Sequence, residues 1–127
     1  MTTKVKARTR TLLVDDEMDV IFSLKLFLEE NGFEVDAYTD PSLAIANFKP
    51  GLYDLIILDI KMPQLNGFEL YKTIREVDNN VKVFFLTAIS DFSGYEEVLN
   101  KMSSTLAENC FIQKPVDTQE LLRRLSI

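Results

Sequence analysis

The segment DLIILDI, residues 54–60, is apolar at four successive positions and closes on Asp59 and Ile60. A strand with one wet face would alternate apolar and polar residues; an unbroken run reads instead as a strand buried on both faces. Such strands sit at the centre of parallel sheets sandwiched between helices. The flanking sequence agrees. Residues 11–14 (TLLV) read as a first strand, and residues 19–31 place Val20, Leu24, Phe27 and Leu28 at helical spacing before Gly32 stops the helix. Residues 33–38 form a second strand. Asp40 and Pro41 read as an N-cap followed by proline at the first helical position, opening a short helix to Phe48. After the turn at Lys49-Pro50-Gly51 comes the central strand.

A helix over residues 66–77 carries Phe68, Leu70, Tyr71 and Ile74, and Asn66-Gly67 marks its turn and entry. Residues 81–86 are a fourth strand, 96–106 a fourth helix, and 110–113 a short fifth strand with Cys110 as a buried strand residue. Asp117, with Glu120 three residues on, starts a last helix that ends near Ile127 in the manner of a capping box. Five βα units in series predict an α/β, doubly wound, five-stranded parallel sheet.

Composition bounds the function. At 127 residues, with 46% apolar and 27% charged side chains, the chain is long enough for one packed domain and too apolar for disorder. No apolar run approaches the ~20 residues of a membrane span, and the polar start lacks the apolar core of a secretory leader. A cytoplasmic protein is expected. A single cysteine excludes a disulfide framework and any CxxC site, and the absence of histidine excludes His-based triads and His–metal centres. Lys4, Lys6, Arg8 and Arg10 make the first ten residues basic, and residues 1–8 read as a basic flexible arm ahead of a domain over 9–127. The acidic remainder of a chain whose net charge is −6 repels nucleic acid, so direct DNA or RNA binding is not expected.

In doubly wound sheets, ligands bind beyond the carboxyl ends of the strands. Those ends carry Asp15, Asp16 and Glu17 after strand one, Asp59 on strand three, Thr87-Ala88 after strand four, and Lys114-Pro115 after strand five. Aspartates crowded together repel unless a counter-charge joins them. A hard divalent ion with oxygen ligands, Mg²⁺, meets that need and leaves positions open for a phosphoryl group. Lys114 offers that group a point charge, Thr87 a hydroxyl, and an aspartate a nucleophile.

VDDE at 14–17, LDIKMPQLNGFEL at 58–70, LTA at 86–88 and FIQKP at 111–115, in order and with βα spacing intact, resemble the receiver domains of two-component response regulators. The resemblance implies a flavodoxin-like fold with strand order 2-1-3-4-5. It implies that Asp59 is phosphorylated by a phosphohistidine on a sensor histidine kinase or histidine phosphotransfer protein. Asp16, Asp59 and the carbonyl of Lys61 would bind Mg²⁺, with Asp15 assisting through water. Lys114, ahead of a cis peptide to Pro115, would contact the phosphoryl group. Thr87 would move toward it, and the ring of Phe111 would follow as a switch. The resemblance implies a phospho-accepting signalling domain, not an enzyme, that assists only its own phosphorylation and dephosphorylation. Lys61 and Ile89 occupy the two positions that set phosphate lifetime in this family, Ile89 shielding the site from water.

The chain departs from the family between Thr87 and Lys114, where 26 residues intervene. An enlarged fourth helix or its loop is expected there. It lies on the face of the fourth helix, fifth strand and last helix, through which a downstream partner would dock. The last helix is short, so either an output domain follows or the receiver stands alone with a trimmed end. A haloacid-dehalogenase-type phosphatase would need an acid at the position of Lys61. A binding-only pseudo-receiver would lack some of the site residues, and nucleotide-binding glycine motifs do not occur.

Overall fold

A computed structural model describes residues 9–88 and 110–125. The elements are β1 (Thr9–Val14), α1 (Met18–Glu30), β2 (Phe33–Tyr38), α2 (Pro41–Asn47), β3 (Leu55–Asp59), α3 (Gly67–Val77), β4 (Lys82–Thr87), β5 (Phe111–Gln113) and a last helix, α4 (Thr118–Leu125). The five strands form one sheet, all described pairings parallel, in the order β2-β1-β3-β4-β5. The expected doubly wound α/β architecture is the one observed. The basic arm at 1–8, the predicted helix at 96–106 and Ile89 lie outside the described residues.

Strand alternation sorts the core into two layers. Leu12, Val14, Ile56, Leu58, Val83 and Phe85 face the side covered by α2 and α3, where Ala44, Phe68, Leu70 and Ile74 pack. Leu13, Leu55, Ile57, Phe84, Leu86 and Ile112 face the other side, against Ile21, Leu24 and Leu28 of α1 and Leu121 and Leu125 of α4. All five residues of β3 are buried, which is why its sequence could not alternate. Both faces had to be apolar.

Helix entries follow local chemistry. The Asp40 carboxylate accepts the Ser42 N–H at 2.8 Å, with Pro41 in the first turn of α2. Asn66 does more than turn the chain. Its side chain accepts the Glu69 N–H at 2.9 Å while the Glu69 carboxylate accepts the Asn66 N–H at 3.0 Å, a complete capping box on α3. The box expected at α4 is only half made. Asp117 accepts the N–H groups of Gln119 and Glu120, but the Glu120 carboxylate turns outward to Arg123, whose guanidinium is the stronger donor. Cys110 stands one residue ahead of β5 and is half-buried against the α3-side core, not a buried strand residue. Pairing with β4 begins only at Phe85 and Phe111. Arg10, which adds to the basic charge of the first ten residues, lies in β1 and pairs with Glu34 and Asp36 of β2 at 3.8 and 3.4 Å.

Asp78 fastens the end of the sheet opposite the strands' carboxyl termini. Its carboxylate accepts N–H groups from Gly51 at 2.9 Å, Asn80 at 3.0 Å and Val81 at 3.3 Å. These backbone donors, Gly51 first, hold the Asp78 carboxyl below its ordinary range. A depressed native pKa contributes stability that is present above the unfolded value of 3.8 and lost as pH falls through the native one. Asp78→Ala should therefore cost about 2 kcal/mol near neutral pH. In urea titrations the gap from the parent protein should narrow as the pH is lowered past 3.8; a pH-independent gap would contradict this account of Asp78.

Candidate functional site

The order β2-β1-β3 means that the chain leaves β1 for one edge and returns to β3 on the other side of it. The crevice at that reversal lies between the carboxyl ends of β1 and β3. Val14 pairs with Leu58 in register, so Asp15 and Asp59 emerge side by side. Asp15 is fully buried and Asp59 is 2% exposed, while Asp16 faces solvent. One carboxylate oxygen from each lies within 4.8 Å of the others.

β5 brings the counter-charge. The Lys114 N–H donates to the Thr87 carbonyl at 2.7 Å, which fixes the end of β5 against β4. From there Nζ lies 2.9 Å from Asp15 Oδ2, 2.9 Å from Glu17 Oε1 and 3.2 Å from Asp59 Oδ1. The next peptide, to Pro115, is cis. Thr87 is the buried last residue of β4, and its hydroxyl donates to the Ala88 carbonyl at 3.1 Å. Phe111 is half-buried in β5, stacked on Phe85 with centroids 5.5 Å apart. Lys61 stands two residues beyond Asp59 with an exposed side chain.

Electrostatics mark the cluster as short of positive charge. Burial first, and then the charge of Asp15, push the Asp59 carboxyl up to about 8, against the pull of Lys114. Burial also raises Asp15, opposed by the Glu17 N–H and Lys114. For Lys114, burial acts to lower the pKa, but hydrogen bonds to Asp15 and Glu17 outweigh it and hold the ammonium charged. Among the described residues one ammonium thus meets three carboxylates, with that of Asp16 beside them. Three oxygen donors, one of them open to solvent, with charge left over, suit a hard divalent cation such as Mg²⁺.

Two residues at the site were not assigned roles in the sequence. Glu17 follows the acidic pair in VDDE, but nothing local predicts that its carboxylate reaches Lys114, 97 residues away. Gly67 reads as helix entry, yet a Cβ on it would lie 2.3 Å from the Asp59 carbonyl oxygen. The first turn of α3 is pressed against the end of β3, where the Gly67 N–H donates to the Ile60 carbonyl at 2.8 Å.

Residues 11–126 match the family model for the response regulator receiver domain. The chain belongs to that family. Among relatives, the receiver is 33% identical over 118 residues to the transcriptional regulatory protein DltR of Streptococcus agalactiae, covering 93% of this chain and 50% of that protein. It is 35% identical over 121 residues to the chemotaxis protein CheY of Treponema pallidum, covering 92% and 80%. The non-phosphorylated HemR receiver domain of Leptospira biflexa superposes with a TM-score of 0.78 at 34% identity, covering 93% and 91%. The receiver spans half the length of DltR, and its strand order is the 2-1-3-4-5 that the resemblance implied.

Proposed function

We propose that this receiver accepts a phosphoryl group on Asp59, in a Mg²⁺-dependent reaction, from a phosphohistidine of a sensor histidine kinase or histidine phosphotransfer protein. The observation that carries this reading is the setting of Asp59. It is a buried carboxylate at the end of the central strand, beside two further aspartates and a lysine, in a chain of the receiver family. Asp16, Asp59 and the Lys61 carbonyl would hold the cation and Asp15 would assist through water. When bound, the cation neutralises charge on the transferring phosphoryl oxygens. An Asp59 carboxylate oxygen forms the new bond to phosphorus as the bond to the donor imidazole nitrogen breaks.

The protein's own groups then answer the added charge. Lys114 shifts from Asp59 Oδ1 to a phosphoryl oxygen, a move within the reach of an ammonium already 3.2 Å from the acceptor. The Thr87 hydroxyl exchanges the Ala88 carbonyl for the phosphoryl group, and Phe111 leaves its half-exposed position to fill the space behind it. Both changes bias a pre-existing equilibrium, so the domain acts as a switch and not as a turnover enzyme. The face of the helix expected from sequence at 96–106, β5 and α4 would present that switch to a downstream partner. No described helix is long and apolar enough to cross a membrane, and a cytoplasmic site of action, typical of the receiver family, is part of this proposal. The acidic body argues against direct nucleic-acid binding by this domain.

The test is intact-mass spectrometry after incubation with acetyl phosphate. One phosphoryl group should be gained with Mg²⁺, none with chelator present, and none in Asp59→Asn. A gain in that variant would move the acceptor elsewhere, and neither adduct nor Mg²⁺ binding would overturn the assembled site.

A further inference from the structure

We infer that Glu17 is a positioning residue that tethers the Lys114 ammonium at the solvent rim, freeing Asp15 and Asp59 for a divalent cation. The inference rests on the function proposed above. Lys114 Nζ has three N–H donors and, among the described residues, three carboxylate partners: Asp15 at 2.9 Å, Glu17 at 2.9 Å and Asp59 at 3.2 Å. Two of these are the buried carboxylates that a cation would need. Lys114 therefore competes with the cation as well as neutralising the site in its absence. Glu17 is the only one of the three partners outside the cation cluster.

Its geometry is arranged for that contact. Glu17 stands at the N-cap of α1 but makes no side-chain cap, a task for which a long carboxylate is poorly suited. Instead its own N–H is held at 2.9 Å by Asp15 Oδ1. That bond fixes the backbone from which the side chain extends to Lys114. With the Glu17 side chain 61% exposed, the pair adds little to folding stability. Its consequence lies in where the ammonium rests. A cation drawing Asp15 and Asp59 toward itself leaves Lys114 with Glu17. Without Glu17, the ammonium falls back on the two buried aspartates and opposes cation entry.

Isothermal titration with Mg²⁺ across a double-mutant cycle tests this. Glu17→Gln should weaken Mg²⁺ binding about fourfold. Glu17→Asp, which keeps the charge but shortens the reach, should weaken it similarly. In a Lys114→Gln background, Glu17→Gln should have almost no effect. Equal losses in both backgrounds would mean that Glu17 acts by its charge alone or as a ligand, and would overturn the inference. So would a Glu17→Asp variant that binds as the parent does, and that arm stands even if Lys114→Gln fails to fold. A parent protein that does not bind Mg²⁺ would overturn the function itself, whereas normal parent binding with no coupling would remove only the role of Glu17.

Discussion

Gly67→Ala should lower the melting temperature of this receiver by roughly 10 °C, which corresponds to about 3 kcal/mol in a domain of this size. The added methyl would meet the Asp59 carbonyl oxygen at 2.3 Å and the Ile60 Cα at 3.0 Å. Both are backbone atoms of the sheet's central strand and its exit, so neither can rotate aside. Relief requires α3 to lift from the sheet. That would break the bond from the Gly67 N–H to the Ile60 carbonyl and disturb the packing of Phe68 and Leu70. The loop carrying Lys61 would move with it, so Mg²⁺ binding should weaken as well. Gly51→Ala is the control. A Cβ there meets nothing within 4 Å, and only the positive φ of 79° resists it, at about 1 kcal/mol. Thermal denaturation of the two variants side by side checks the claim. A Gly67→Ala protein as stable as Gly51→Ala would mean that the end of β3 and α3 are not pressed together as described.

Asp59→Asn, eight residues earlier, should have the opposite sign. Without divalent cations it should stabilise the fold by about 2 kcal/mol near neutral pH, because the folded parent must hold Asp59 protonated beside Asp15, a cost that asparagine avoids. The pH dependence follows from the raised native pKa. Between the unfolded value of 3.8 and the native value of about 8, the folded protein holds a proton that the unfolded chain releases. Stability therefore falls as pH rises through that window. Asparagine carries no such proton, so the variant's advantage should be small near the lower limit, grow with pH and level off above the upper one. Mg²⁺ should reverse the order, since binding stabilises only a protein with the intact ligand set. Melting curves with chelator at several pH values, then with Mg²⁺, would show this. A variant less stable than the parent in chelator would contradict the view that these carboxylates are held together against their own repulsion.

How much of this was legible in the sequence depends on the range of the interaction. The unbroken apolar run of β3 required cover on both faces, and the two core layers supply it. The Asp40 cap involves neighbours only, and the expectation stood. The box expected at Asp117 failed because Glu120 had a better donor in Arg123, and the one formed at Asn66 was hidden behind a turn-like Asn-Gly pair. At the site, Asp15, Asp16, Asp59, Thr87 and Lys114 were each marked by standing just past or at the end of a strand. That position alone gathers them in this fold. Glu17 and Gly67 act across the sheet, one through an ion pair and one through the absence of a methyl. Neither the reach of a carboxylate to another strand nor the closeness of two backbones leaves a local pattern to read.

Reductive mapping locates the phosphorylated side chain itself. After reaction with acetyl phosphate and Mg²⁺, borohydride converts a phosphorylated aspartate to homoserine, which tandem mass spectrometry of peptides then locates. That conversion is expected at position 59, dependent on Mg²⁺, with Asp15 and Asp16 unchanged. Conversion at either of those residues, or at a carboxylate outside the cluster, would contradict it.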